Sequence, residues 1–325
     1  DPTDMTGLPT RSEVNPYRRR TRAGPQPLMP IAGHALYTDA EFEYTPIPIF
    51  SLLGNMIDQQ RDAILANPDS YCLILPHYGG KSMFKNDPLI IARCENVIGS
   101  FVFQGHDKPV FQVISPQAKD GGKPNPGRPF TQPWCAILHV EPGPLRDFLK
   151  YQAVFPLEAN TSFAIYPVNP DEKSWKIVTF TGDAVRPTPQ SRDNVLVAVK
   201  STLWVDMRFR KFVAVHMLQK GHTGSPLQLV KAVLDTFDII FAEAEDEHGN
   251  AVTAHVLVGE PFLDSKQECD EYVHYFTSTN FWVGISRLVV NAVRLHCNLC
   301  KSDIHNTYAC SLPFTPGWLG PSNKD

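Results

Sequence analysis

The feature that most restricts this chain is a short stretch near its C-terminus, Cys297-Asn-Leu-Cys300-Lys-Ser-Asp-Ile-His305-Asn-Thr-Tyr-Ala-Cys310, spaced C-x2-C-x4-H-x4-C. Three thiolates and one imidazole at this spacing can close a tetrahedral shell, and soft sulfur with borderline nitrogen suits Zn²⁺ better than hard cations. Seven cysteines spread over 325 residues rarely give both loop lengths with a histidine in register. Four protein ligands leave no vacant coordination position, so the expected metal is structural in type.

The remaining cysteines, Cys72, Cys94, Cys135 and Cys269, show no paired spacing and read as single thiols. An open Cys/His site needs free thiolates, so the expected compartment is a reducing cytosol or nucleus. Net charge is −4 with a pI near 6.3, which excludes a broad electrostatic attraction for nucleic acid and requires local patches for any polyanion. No apolar run reaches the roughly 18–20 residues of a membrane span, and the N-terminus lacks an apolar signal core.

Residues 1–36 are rich in Pro, Gly, Thr and Arg and read as a disordered basic tail, with Arg18, Arg19, Arg20 and Arg22 as a phosphate-contacting arm or import signal. From 37 to 116 the pattern is a small α/β module. A helical spacing runs through Leu52, Leu53, Met56, Ile57, Ile64 and Leu65 and stops at Asn67-Pro68, followed by a strand at Tyr71–Leu75. Gly79-Gly80-Lys81-Ser82 is not a phosphate loop, because the first glycine that motif needs is Leu75 here. A helix from Pro88 to Asn96 and strands at Ile98–Phe103 and Val110–Ile114 complete the module, and residues 117–132, dense in Gly and Pro, form a linker.

After the linker one order of elements repeats. Trp134–Val140 is a strand, Pro144 opens a helix, strands follow at Thr161–Pro167 and Trp175–Thr181, and Ser191 begins a helix with Val195, Val199 and Leu203. The second copy runs from a strand at Phe212–Met217 through a helix from Pro226 to a hairpin of Asp238–Glu245 and Val252–Val258 around His248-Gly249-Asn250. Ser265 and Glu268 then make a capping box, and a strand near Ile285–Leu295 leads into Cys297. The expected fold class is α+β: tandem RRM-like (split βαβ) modules at 133–206 and 207–296, preceded by the α/β module and followed by the zinc knuckle and tail at 297–325. Both modules compete for the segment around 209–217, which is assigned here to the second. Trp175, Phe180, Phe163 and Tyr166 read as core in preference to base-stacking faces.

The knuckle resembles those of retroviral and retrotransposon Gag proteins and those in the first-open-reading-frame proteins of LINE-type elements. The resemblance is sharper to Gag-like zinc-knuckle proteins of fungal, basidiomycete retroelements, which continue past the last cysteine into Pro-Phe and Pro-Gly-Trp, as Pro313-Phe314 and Pro316-Gly317-Trp318 do here. It implies zinc on Cys297, Cys300, His305 and Cys310 and binding of single-stranded RNA or DNA, with packaging or chaperoning of RNA. Retroviral knuckles place glycine at the fifth and eighth positions and large apolar residues at the second and tenth. This chain has Lys301, Ile304, Asn298 and Asn306 there. A different platform is open to Leu299, Ile304, Tyr308 and Trp318, with Lys301 and Arg294 meeting phosphate.

No nucleophile, base or open metal site suggests an enzyme or a small-molecule substrate. The acidic run Glu243–His248 reads as a solvated hairpin tip, and His139, His216 and His255 as packed or surface residues of strands. The favoured function is that of a single-stranded nucleic-acid-binding protein, RNA in the first place, of retroelement origin; the alternative is a zinc-stabilised scaffold that assembles with itself, as a homo-oligomer, or with a partner.

Overall fold

The computed structural model describes residues 17, 19–33, 36–77, 83–123, 131–246 and 248–322. It divides into two compact units, the first built from Pro16–Lys173, Cys297–Ser302 and Cys310–Asp325, the second from Ser174–His296 and Asp303–Ala309.

In the first unit α1 (Ile49–Leu53) and α2 (Asp58–Ala66) precede β1 (Tyr71–Pro76). Then come α3 (Met83–Asn86), α4 (Ile90–Gly99), β2 (Phe111–Ile114), β3 (Ala136–Val140), α5 (Pro144–Gln152), β4 (Val154–Glu158) and β5 (Thr161–Pro167). The strands make one sheet, β2-β3-β1-β5-β4, with every neighbour antiparallel. Strands β1 and β2 each oppose β3, so they run the same way with β3 between them.

Pairing partners share a face of a sheet, and both faces here are apolar. On one face Cys72, Ile74, Ala136, Leu138, Phe163 and Ile165 pack under Ile90, Cys94 and Ile98 of α4 and Leu145, Phe148 and Leu149 of α5. On the other, Leu73, Leu75, Ile137, Ala164 and Tyr166 meet Ile49, Leu52 and Leu53 of α1, Ile64 of α2, and apolar residues of the C-terminal loop. Burial on both sides explains why β1 is a continuous apolar run without alternation.

The second unit runs β6 (Lys176–Thr181), α6 (Pro189–Val205), α7 (Met207–Gln219), α8 (Pro226–Asp235), β7 (Asp238–Glu245), β8 (Ala251–Val258) and α9 (Lys266–Ser278). Three two-residue strands follow: β9 (Trp282–Val283), β10 (Ser286–Arg287) and β11 (Val289–Val290). The main sheet is β11-β6-β8-β7, again antiparallel throughout. Val178, Phe180, Leu257 and Ile239 pack with buried side chains of all four helices, among them Val199, Phe209, Val230 and Phe276. Ser225 and Ser265 each form a full capping box, with Gln228 and Glu268, fixing where α8 and α9 begin.

Several boundaries differ from those the sequence suggests. The modules expected at 133–206 and 207–296 do not form as such. Strands β3 and β5 join β1, from the segment expected to be a separate α/β module, whereas β6 joins β8 in the other unit. Segment 117–132 therefore links two neighbours of one sheet, β2 and β3, and does not separate domains; residues 124–130 of it lie outside the described residues. The contested strand at 209–217 is helix α7. The Asp206 side chain caps it by accepting from Arg208 N and Phe209 N, and its buried residues Phe209, Phe212, Val213 and Met217 follow helical spacing. The run Phe212-Val213-Ala214-Val215 is rich in strand-favouring side chains, and packing overrides that local preference.

Residues 98–103 finish α4 and continue as irregular chain with Phe101 and Phe103 buried, in place of a strand. Of the strand expected over 285–295, only β10 and β11 form. Strand β4 was not expected, since Pro156 interrupts its short apolar run; at the sheet edge a proline is tolerated. Much of the expected N-terminal tail is ordered onto the first unit: Arg20 bridges Glu43, Thr21 N donates to Phe42 O, and Ile31 N donates to Val102 O.

Candidate metal centre

After β11 the chain is pinned by Asn291, whose Oδ1 accepts from Thr179 N at 2.9 Å. It then runs with Val293 and Leu295 buried and Arg294 and His296 exposed, delivering Cys297. A tight turn follows. Cys297 O accepts from Lys301 N and Cys297 N donates to Ser302 O, both at 2.9 Å, while Cys300 N points at Cys297 Sγ at 3.4 Å. Closing this turn puts Lys301 at φ +63°, the left-handed region that costs a side-chain-bearing residue about 1–2 kcal/mol. Lys301 thus holds, with a side chain, a backbone conformation that glycine adopts without steric cost.

The histidine arm is held separately. Asn306 Oδ1 accepts from His296 N at 3.2 Å, and its Nδ2 donates to Glu243 O at 3.3 Å. Lys176 Nζ donates to Asp303 O at 2.5 Å. The turn Thr307–Ala309 brings the chain back to Cys310, and the next residue, Ser311, donates its hydroxyl to Glu43 at 2.6 Å.

One ligand atom from each of Cys297, Cys300, His305 and Cys310 lies within 4.8 Å of every other, with the three cysteines buried and the histidine half-buried. A tetrahedral zinc with Zn–S bonds near 2.3 Å would set sulfurs about 3.8 Å apart, so only a small contraction is needed. Hydrogen bonding to Cys297 and Cys300, with burial added, pushes the Cys310 thiol far above its usual range. Three sulfurs this close cannot all be thiolates unless a cation neutralises them, which is what a divalent metal does when it displaces their protons. The Cys3His group can hold a metal ion, and its donor set selects zinc.

The metal loop is part of a hydrophobic core. Cys297, Leu299, Cys300, Cys310 and Leu312 are at most 4% exposed and cluster with Leu73, Leu75, Ile137 and Tyr166 of the first unit's sheet. The Trp318 ring lies 5.8 Å from Phe42 and 5.0 Å from His77, and its Nε1 donates to Pro321 O at 2.9 Å. His77, at the end of β1, has Nδ1 2.8 Å from Ser162 Oγ. Burial, with Lys301 adding to it against the opposing Cys297, lowers its pKa to about 3, so it is neutral. No spacing in the sequence marks His77; its place at the end of an apolar strand is the one available sign.

The expected nucleic-acid contacts differ in their surroundings. Lys301 Nζ turns back onto Asn298 O, and burial lowers its pKa to about 8. Trp318 is packed as described. Arg19 faces Glu172 at 3.8 Å, and Arg22 pairs with Asp39 at 3.1 Å while lying 5.5 Å above the Tyr151 ring. These positions are folded surface, not a free arm; Arg18 lies outside the described residues. Arg294 and Tyr308 are exposed, and Arg20 is exposed beside its bridge to Glu43. Trp175, Phe180, Phe163 and Tyr166 are core. His216 belongs to α7, and His255 is fully buried, 2.8 Å from Arg186 O.

Among the described residues no helix is long and apolar enough to cross a membrane. Searches of protein-family models, curated proteins and solved structures return no match for the chain.

Proposed function

We propose that the chain is a non-enzymatic interaction scaffold in which one Zn²⁺, bound by Cys297, Cys300, His305 and Cys310, staples the C-terminal loop onto the first unit's sheet. The observation that carries this reading is the placement of the metal loop. Leu299 and Leu312, which flank the ligands, fill the face of the sheet opposite α4 and α5. In RRM-like sheets that face is the one that reads bases, so in the first unit it is closed. A small loop gains stability from a metal when folding and binding are linked, and these ligands have little other reason to converge.

Elemental analysis of zinc-loaded protein tests this together with thermal melts before and after chelation. One zinc per chain and a melting temperature that falls on chelation are expected. Metal-free protein with an unchanged melt would overturn the reading.

A second reading, single-stranded nucleic-acid binding by a Gag-like or RRM-like protein of retroelement type, has its own support: Arg294 is exposed on the segment entering the knuckle, and Tyr308 is exposed within it, between His305 and Cys310. Both units also have the β-α-β-β-α-β core order of a split βαβ sandwich, with strand order 5-1-3-2 in the first and 11-6-8-7 in the second. Titration with single-stranded RNA at two salt concentrations separates the readings. Binding that weakens with salt and with Tyr308→Ala or Arg294→Ala supports the second, and its absence leaves the scaffold.

A further inference from the structure

Helix α7 carries an exposed stripe that its own unit does not use. Met207, Lys211, Val215 and Leu218 recur at helical spacing and are all exposed, with Arg208 exposed and Arg210 half-exposed beside them. The helix contains no acidic residue. Arg208 is paired with its own cap, Asp206, but the side chains of Arg210 and Lys211 have no hydrogen bond or ion pair among the described residues.

The opposite chemistry sits on β7, at the edge of the same unit's sheet. Phe241, Glu243 and Glu245 alternate outward and are exposed, whereas Ala242 and Ala244 are buried. Neither glutamate side chain has a hydrogen bond or ion pair among the described residues. The two stripes also match in length. Arg210 to Leu218 spans about 12 Å at the helical rise of roughly 1.5 Å per residue. Phe241 to Glu245 spans about 13 Å at the strand rise of roughly 3.3 Å.

We propose that α7 of one copy docks on the β7 edge of a second copy, with Val215 and Leu218 against Phe241 and the cations Lys211 and Arg210 against Glu243 and Glu245. Aliphatic side chains interleaved with cations suit a protein surface better than a phosphate backbone, which has no apolar group to offer them. The complementary stripe is present on the chain itself. The two patches differ, so the contact is heterologous: each copy offers one exposed α7 stripe and one row of exposed β7 side chains, and assembly proceeds head to tail. This inference rests on the scaffold reading and names its partner. Its failure leaves the zinc result untouched, because metal content and assembly are read separately.

The test is sedimentation velocity on the zinc-loaded full chain over a range of concentrations, at low and high salt. The wild type is expected to associate reversibly and less strongly at high salt. Lys211→Glu or Glu243→Lys alone should raise the dissociation constant roughly tenfold, because each sets like charges face to face. Mixing the two variants, or combining them in one chain, should restore association, since every contact is again opposite in sign. This restoration separates a docking defect from a folding defect.

Monomer at every concentration would overturn the proposal, as would association that neither reversal alters. Loss of poly(U) or anionic-vesicle binding in Lys211→Glu, without self-association in the wild type, would also overturn it and assign α7 to a polyanion.

Discussion

The two sheets follow one strand plan and are completed by different means. In each, a central strand (β1 or β6) leads through helices to a strand two places away (β2 or β7), the strand between returns (β3 or β8), and a last strand (β5 or β11) adds on the far side. The first unit spends only short helices on the crossover, and the second face of its sheet is filled by α1, α2 and the metal loop. The second unit spends α6, α7 and α8 on the crossover, and these with α9 build its core, while His305, the one metal ligand it contributes, lies outside that core. The difference teaches that a metal loop can stand in for helical mass as the cover of a sheet face. The two units should therefore respond differently to loss of zinc.

Chelation is the largest expected effect. Structural zinc contributes on the order of 10 kcal/mol of apparent binding free energy in small zinc-folded peptides, so its loss should cost this larger chain several kcal/mol. Hydrogen exchange should rise first at the amides of β1, β3 and β5, while the β7–β8 hairpin keeps its protection. Equal deprotection of both sheets would break the comparison.

The metal and the side chains around it can be separated by substitution. Leu312→Ala, 3% exposed in the wild type, should cost about 2–5 kcal/mol through lost transfer energy and the cavity left behind. Phe241→Ala, at a residue 40% exposed in the second unit, should change urea stability by less than about 0.5 kcal/mol. If the two substitutions cost the same, the knuckle is not part of the first unit's core.

The second unit has a weakness of its own. Lys200 of α6 is 3% exposed, and its Nζ has no hydrogen-bond partner among the described residues. Burial lowers its pKa to about 8, against the pull of Asp235 and Asp238 and with Lys231 adding to the depression. For a lysine the depressed folded value means that the unfolded chain holds the proton more tightly. The penalty is therefore present in full below about pH 8 and is relieved as pH rises toward the unfolded value near 10.4. Lys200→Met should raise stability at pH 7 by about 2 kcal/mol and flatten the rise between pH 8 and 10, as read by urea midpoints. A wild-type midpoint that falls over that interval would refute the assignment.

How much of this was readable beforehand depended on how local each signal is. The metal ligands form a contiguous spacing, and β5, α8 and the β7–β8 hairpin each carry their own turn or cap chemistry, so the residues name them. Which strands share a sheet is decided by distant partners. Nothing near Trp134–Val140 says that β3 pairs with β1 across Tyr71–Ile74, and so local spacing alone places the repeat out of phase. Helix α7 was obscured because Phe212–Val215 has the local composition of a strand. The site's chemistry was legible, whereas its burial was not. Leu299 and Trp318 suit a base-stacking platform as well as a core, and only the sheet beneath them decides between the two.

The smallest effect sharpens the comparison at the knuckle turn itself. Lys301 holds φ +63°, a conformation glycine adopts without steric cost, so Lys301→Gly removes strain of about 1–2 kcal/mol. Part of that gain is lost because glycine gives the unfolded chain more freedom to surrender, an offset of roughly 0.5–1 kcal/mol. The contact of Lys301 Nζ with Asn298 O disappears as well. The net expected change is a stabilisation of about 0.5 kcal/mol in zinc-loaded protein. Lys301→Val, whose branched side chain is poorly tolerated at positive φ, should instead destabilise by about 1 kcal/mol or more. Opposite signs for these two substitutions, measured by urea denaturation of zinc-loaded protein, would show that the backbone of the turn, and not the lysine charge, is what the site requires there. Equal losses in both would show that the ammonium contact dominates.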